Sequence, residues 1–143
     1  MRLVPALLTL ALLAACGPAA EEEAAQPAGP TLADFAGTWQ NSATLDGVAD
    51  PVPSTLTGSA DGSNWTMTLE GREDIAVTAS LEGDSLIVQT EEYESVLRAG
   101  VMVTVRTATV LQDGMLMGTL VATYNTPDGM EQVSGTMHGM REN

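Results

Sequence analysis

Lysine is absent from the 143-residue sequence, and cysteine occurs once, as Cys16. Without lysine there is no amine for a Schiff base and none for a P-loop. With a single thiol there is no disulfide within the chain and no multi-cysteine metal site. Aromatics are scarce, at one Phe, two Trp and two Tyr, whereas ligand pockets are usually rich in them. The one histidine, His138, would have to serve any serine or cysteine triad, and no Gly-x-Ser-x-Gly elbow accompanies it. Positive charge rests on Arg2, Arg72, Arg98, Arg106 and Arg141 against 19 acidic residues, for a net charge of −14. Such a surface repels phosphate backbones and anionic headgroups, which excludes nucleic acid as a partner. Glu91 and Glu94 are the pair a carboxylate hydrolase would need, but acidic residues at turns and helix starts are most simply solvated. No enzyme is expected.

What is present begins with an address. Arg2 gives a positive start, Leu3 to Leu13 an apolar centre, and Ala14-Ala15 small residues before a cut. The apolar centre is about half of the roughly 20 residues that a membrane-spanning helix needs, so it reads as a removed leader. Leu13-Ala14-Ala15-Cys16 resembles the lipobox of bacterial lipoproteins. The resemblance implies cleavage before Cys16 and acylation of its sulfur and new amine. Several chains on one residue hold a protein at a bilayer without other membrane contact. Gly17 stands where the family's inner-membrane retention signal is usually Asp. The implied location is the bacterial cell envelope, at the outer membrane facing the periplasm.

Three units follow from this reading: a leader at 1–15, a lipidated cysteine and tether at 16–31, and one folded domain at 32–143. The tether carries Glu21-Glu22-Glu23 and three prolines and has no β-branched residue before Thr31. That composition cannot bury enough apolar surface to order itself. The remaining stretch is one domain's worth of chain, large enough for a single core without a covalent staple. A monomer is expected.

Alternation with period two dominates from residue 37 onward. Val101, Val103, Val105, Thr107, Thr109 and Leu111 share one face. After Asp113-Gly114, a strong hairpin signal, Leu116, Gly118, Leu120, Ala122 and Tyr124 continue that face. After Asp128-Gly129, Val133, Gly135, Met137, Gly139 and Arg141 continue it again. Two-residue loops at both turns would pair Thr107 with Leu120, and Leu120 with Met137. Candidate strands are 37–45, 53–60, 64–70, 74–81, 85–90, 101–112, 115–125 and 130–141. Further turn signals sit at Asp61-Gly62, Gly71-Arg72 and Gly83-Asp84. Eight strands joined by tight turns predict an all-β, antiparallel up-and-down barrel, with a two-sheet sandwich as the competing architecture. Thr31 and Asp34 are spaced as a capping box for one helical turn. Residues 91–99 read as irregular or helical, or as a strand end at Ser95 to Leu97 followed by a hairpin loop at Arg98-Ala99-Gly100.

Phe35-Ala36-Gly37-Thr38-Trp39 resembles the opening of lipocalin-like (calycin) barrels, where a helical turn precedes Gly-X-Trp on the first strand. In that family an arginine near the end of the last strand packs across the tryptophan, and Arg141 stands at that place. The resemblance implies that Trp39 and Arg141 close the barrel floor. Residues 32–143 are also similar to a group of small uncharacterised bacterial lipoproteins with a run like Tyr93 to Thr104, and that resemblance carries no activity. The domain is shorter than most lipocalins, so any cavity is small.

The inward face mixes large residues with Ala43, Gly58, Ala79, Gly118, Ala122 and Gly135. Either the small residues leave room for an apolar guest, or glycines permit curvature and close packing. Candidate pocket residues are Trp39, Trp65, Val103, Val105, Leu120, Tyr124 and Met137. Six of the eight methionines lie between Met102 and Met140. The predicted register sets Met117 across from Met140, with His138 two residues away on the same face. Two thioethers and an imidazole are a soft set that selects Cu(I). Alternatively the methionines cover irregular apolar surface and His138 is an ordinary surface histidine, in which case the chain holds no metal and no cofactor. The sequence is thus best read as a lipid-anchored periplasmic binding protein with a small apolar or amphipathic ligand in its barrel. The rival is a barrel-type protein-interaction module, such as an inhibitor of a secreted hydrolase.

Overall fold

The computed structural model describes residues 28–143; the leader, Cys16 and most of the tether lie outside the described residues. Among the described residues one helical turn, α1 (Leu32–Phe35), precedes nine strand segments. These are β1 (Gly37–Leu45), β2 (Val52–Gly58), β3 (Trp65–Leu69), β4 (Ile75–Glu82), β5 (Ser85–Thr90), β6 (Tyr93–Glu94), β7 (Met102–Gln112), β8 (Met115–Thr126) and β9 (Gly129–Arg141). Every pairing is antiparallel between neighbours, β5 passes directly to β7, and β9 returns to β1. The sheet therefore closes, which leaves no sandwich and no long free edge. The predicted strand limits agree with these to within two residues, where strand ends fray.

The eighth wall strand is β5 and β6 together. Gln89 faces Arg106, but Tyr93 faces Val103. Thr90, Glu91 and Glu92 thus oppose only Thr104 and Val105, which is one extra residue and a bulge. The bulge is satisfied locally: the Val105 N–H donates to Thr90 Oγ1 at 2.8 Å, and the Glu91 N–H to the Ala76 carbonyl at 3.1 Å. The helical reading of 91–99 is therefore corrected. These residues form a kinked strand end and a turn, because β7 holds them by backbone pairing that a helix would forfeit.

Asp113 and Gly114 both adopt positive φ (51° and 77°), as a two-residue hairpin turn between β7 and β8 requires. Thr107 pairs with Leu120 there. The next hairpin departs from expectation. Thr126 pairs with Gly129, so Pro127 and Asp128 form the turn. Proline has no N–H to give a ladder, and its fixed φ suits the second position of a turn. The register moves by two residues: Leu120 faces Gly135, and Met137 faces Gly118. Because the shift is even, every side chain keeps its face.

The interior divides into two apolar groups. Phe35, Trp39, Leu56, Trp65, Leu86, Val88 and Leu116 fill the end sealed by α1. Leu45, Val103, Leu120, Ala122, Tyr124 and Met137 line the other end. The inward glycines are consumed by packing. A Cβ on Gly118 would strike the Ala108 carbonyl, one on Gly135 the Thr44 carbonyl, and one on Gly58 the Trp65 indole. The small residues serve close approach at these positions rather than empty space.

The sealed end is fastened across the seam between first and last strands. Trp39 is fully buried, and its Nε1–H donates to the Phe35 carbonyl at 2.8 Å. The Arg141 guanidinium lies 4.3 Å from the Trp39 ring centroid. It also donates to the Asp34 carbonyl at 2.7 Å and to the Ala36 carbonyl. Gly37 has φ of 119°, and a side chain there would meet that guanidinium. Asp34 accepts from the Thr31 N–H and hydroxyl at 2.7 and 2.9 Å, which holds its carboxyl below the usual range. An Arg141→Met substitution keeps an apolar stem but removes the cation and its donors. It is expected to lower the unfolding free energy by about 1–3 kcal/mol, read from chemical denaturation at unchanged m value. Stability within about 0.3 kcal/mol of the parent would contradict this role.

Candidate functional site

Alternation along β1 places Trp39, Asn41, Ala43 and Leu45 at successive inward levels, from the sealed floor toward the open end. Above the floor the walls converge on a partly open cavity of about 80 Å³. Val103, Val105, Leu120, Tyr124 and Met137 line it. Trp39 and Trp65 do not. They sit below it in the floor group, Trp39 under Arg141 and Trp65 across Gly58. The sequence pointed to both because large inward aromatics mark pockets, but here they are spent on closing the barrel.

Several lining residues escaped the sequence reading. Asn41 is only 7 % exposed, and its Oδ1 has no hydrogen-bond partner among the described residues. A side chain on its strand neighbour Gly139 would collide with that oxygen. Ser54 faces Asn41 across the β1–β2 pair, and both line the cavity with Thr107. The signal was available: Asn41 lies two residues after Trp39, hence inward by parity. Val96 and Leu97 close the cavity at the rim while remaining 43 % and 40 % exposed. An apolar pair inside the acidic stretch Glu91 to Glu94 and Arg98 was the mark they left in the sequence.

The rim segment is held by polar contacts at its base. Ser95 is buried, its N–H donates to the Val101 carbonyl at 2.8 Å, and its hydroxyl accepts from the Leu97 and Arg98 N–H groups. Arg98 reaches over the Tyr124 ring at 4.1 Å and meets Glu131 of β9 with two bonds of 2.9 Å. That hydrogen bond raises the Arg98 pKa and lowers that of Glu131. Solvent screens an exposed pair of this kind, so it sets position more than stability. Arg72 secures the other side by donating to the Glu94 carbonyl at 2.8 Å.

No lining residue carries a formal charge. Burial pushes the Tyr93 phenol up to about 12, with the neighbouring Tyr124 adding to the shift. Glu91 and Glu94 are exposed, and Glu94 spends one oxygen on the Gly100 N–H at 3.2 Å. His138 lies on the outer face of β9, away from the cavity. Among the described residues no group of three or more His, Cys, Asp or Glu is placed to hold a metal ion. The cavity thus offers apolar contact and neutral hydrogen-bonding groups.

Comparison with known proteins returns no matching family model, no matching curated protein and no matching solved structure.

The raised phenol has a pH consequence. A pKa near 12 against an ordinary 10.0 means that the unfolded chain releases this proton first. Stability should be full below pH 10 and should fall as pH climbs from about 10 through about 12. Ultraviolet titration should show a late-ionising phenol, and Tyr93→Phe should remove that late phase. A Tyr93→Phe variant with an unchanged titration curve would contradict the burial argument.

Proposed function

We propose that the chain is a lipid-anchored, lipocalin-like binding protein that takes the end of a slender apolar molecule into its barrel. The observation that carries this reading is the uncharged apolar cavity beneath Val96 and Leu97. Its volume of about 80 Å³ decides the ligand's shape. Benzene fits an apolar cavity of about 150 Å³, and drug-sized ligands occupy about 300–1,000 Å³. A compact ligand swallowed whole is therefore too large. A surface groove of about 330 Å³ adjoins the rim and shares Val52, Leu69, Val96 and Leu97 with the cavity. A single narrow chain would place its tip inside and its body along this groove.

Charge decides which end enters. A charged group in the cavity would lose its hydration without gaining a counter-charge, at a cost of several kcal/mol. The inserted end is neutral, and any charged head stays outside. The same absence of acids, bases and cations on the lining supports binding rather than catalysis.

The anchor rests on Leu13 to Cys16, and the lipocalin-like assignment on the Gly37, Trp39 and Arg141 arrangement. Because α1 seals the floor, a chain arriving from Cys16 enters at the floor end. The rim would then face away from the anchor, toward the periplasm. Cys16→Ser should move the protein from the membrane fraction to the soluble periplasmic fraction and remove the acyl mass from its N-terminus. Retention in the membrane would sink the anchor.

A second reading, a module that binds a secreted hydrolase, is favoured by the exposure of Val96 and Leu97 at the rim. Native mass spectrometry of the protein purified from its host separates the two. The ligand reading expects a co-purified single-chain amphiphile that is lost in Ala122→Leu, whose three added carbons narrow the cavity. A wild-type protein free of small molecules but holding a stoichiometric protein partner would instead establish the interaction module.

A further inference from the structure

The outer face of the β7–β8–β9 wall carries a cluster that the cavity does not use. On β8, Met115 and Met117 point outward with one residue between them. On β9, His138 and Met140 do the same. The register sets Met117 directly opposite His138, and Met115 directly opposite Met140. This corrects the sequence pairing of Met117 with Met140 and brings in Met115, which the sequence reading had omitted. The cause is again the turn at Pro127-Asp128, which moved β9 by two residues.

The four positions form a rectangle on the sheet. Its long side is about 6.8 Å, two residues at about 3.4 Å each, and its short side is about 5 Å, the cross-strand spacing. A point about 3 Å above its centre lies about 5 Å from each Cβ, within reach of a metal bond from a thioether or an imidazole. The side chains are accessible: Met140 is 60 % and Met117 38 % exposed, His138 is exposed, and Met115 is half-buried.

The residues flanking both rows are uncharged, in a chain whose net charge is −14. Val110 and Ser42 flank the Met117–His138 row, and Gln112 and Gln40 flank the Met115–Met140 row. Thr119 and Thr136 occupy the next row. Glu142 is the next outward residue after Met140, and the Gln40 amide donates to its carboxylate at 3.1 Å. One imidazole without a carboxylate beside it gives Zn²⁺ or Cu²⁺ too few ligands. Thioethers are soft donors and favour a soft monovalent ion.

We propose that Met115, Met117, His138 and Met140 form a surface site for one Cu(I) ion. The site stands on the opposite side of the sheet from the cavity and is independent of the ligand reading. It binds copper supplied already reduced, with no change of oxidation state.

The test uses the full chain carrying Cys16→Ser, so that its one thiol does not compete for the metal. Ag(I), a soft monovalent ion in place of Cu(I), is titrated while the methionine methyl and histidine ring signals are followed by NMR. Cu(I) affinity is then measured anaerobically against a chromophoric Cu(I) chelator. The expected result is one equivalent bound, with Met115, Met117, Met140 and His138 shifting and the inward Met67 and Met137 still. The double variant M117L/M140L keeps the apolar cover of the sheet. It should lose at least tenfold in Cu(I) affinity with an unchanged unfolding midpoint. The proposal is overturned if the parent binds no stoichiometric Ag(I) or Cu(I), if the double variant binds equally well, or if Zn²⁺ binds as tightly as Cu(I). Any of these outcomes would leave the methionines as apolar surface cover.

Discussion

Closure of the barrel depends on the seam between β1 and β9, and that seam is fixed where Arg141 crosses Trp39. The chain's single cysteine rules out a disulfide within it, so closure rests on backbone pairing and on what is trapped beneath it. Seven residue pairs join β1 to β9, from Trp39–Arg141 to Leu45–Gly135. At the floor end the arginine does three things together. It covers the buried indole, it binds two carbonyls of the segment entering β1, and it occupies the space that glycine leaves at position 37. A fixed floor sets the level of every inward residue above it, so the height of the cavity is set at the same place.

Two opposed demands shape the interior. Short strands and inward glycines draw the walls together, and Gly118, Gly135 and Gly139 each face an atom that leaves no room for a side chain. The bulge between β5 and β6 works the other way, carrying residues 95–97 over the open end. The result is a cavity small for a ligand-binding barrel and roofed by residues that are themselves partly exposed. Under the binding function proposed above, size and absence of charge would admit only the neutral end of a thin molecule. The outer face is governed by the same register but by different chemistry, since the side chains that alternate with the apolar lining of β8 and β9 include its thioethers and imidazole.

Much of this was legible in the sequence, for identifiable reasons. The β7–β8 hairpin could be placed residue for residue because Asp113-Gly114 admits few turn geometries, and both residues take the positive φ it requires. Inward and outward faces survived even where the register did not, because a shift of two residues preserves parity. The shift is hidden because Asp128-Gly129 is itself a strong turn signal, while Pro127, which cannot donate to the ladder, sets the turn one residue earlier. Residues 91–99 were illegible locally: their shape is set by Thr90 and Glu91 bonding to β7 and β4, distant in sequence. Whether a small inward residue makes space or closes it depends on what stands opposite. Only the packed structure shows Trp65 lying over Gly58 and Asn41 against Gly139.

We expect the uncharged space between the barrel floor and the Val96–Leu97 rim to be dry. Xenon tests it most directly, because it enters apolar cavities and competes poorly for hydrated ones. Crystals pressurised with xenon should show one site inside the barrel, in contact with Leu120, Ala122 and Met137. An interior with no xenon, or one filled by ordered water around Asn41, would contradict the account.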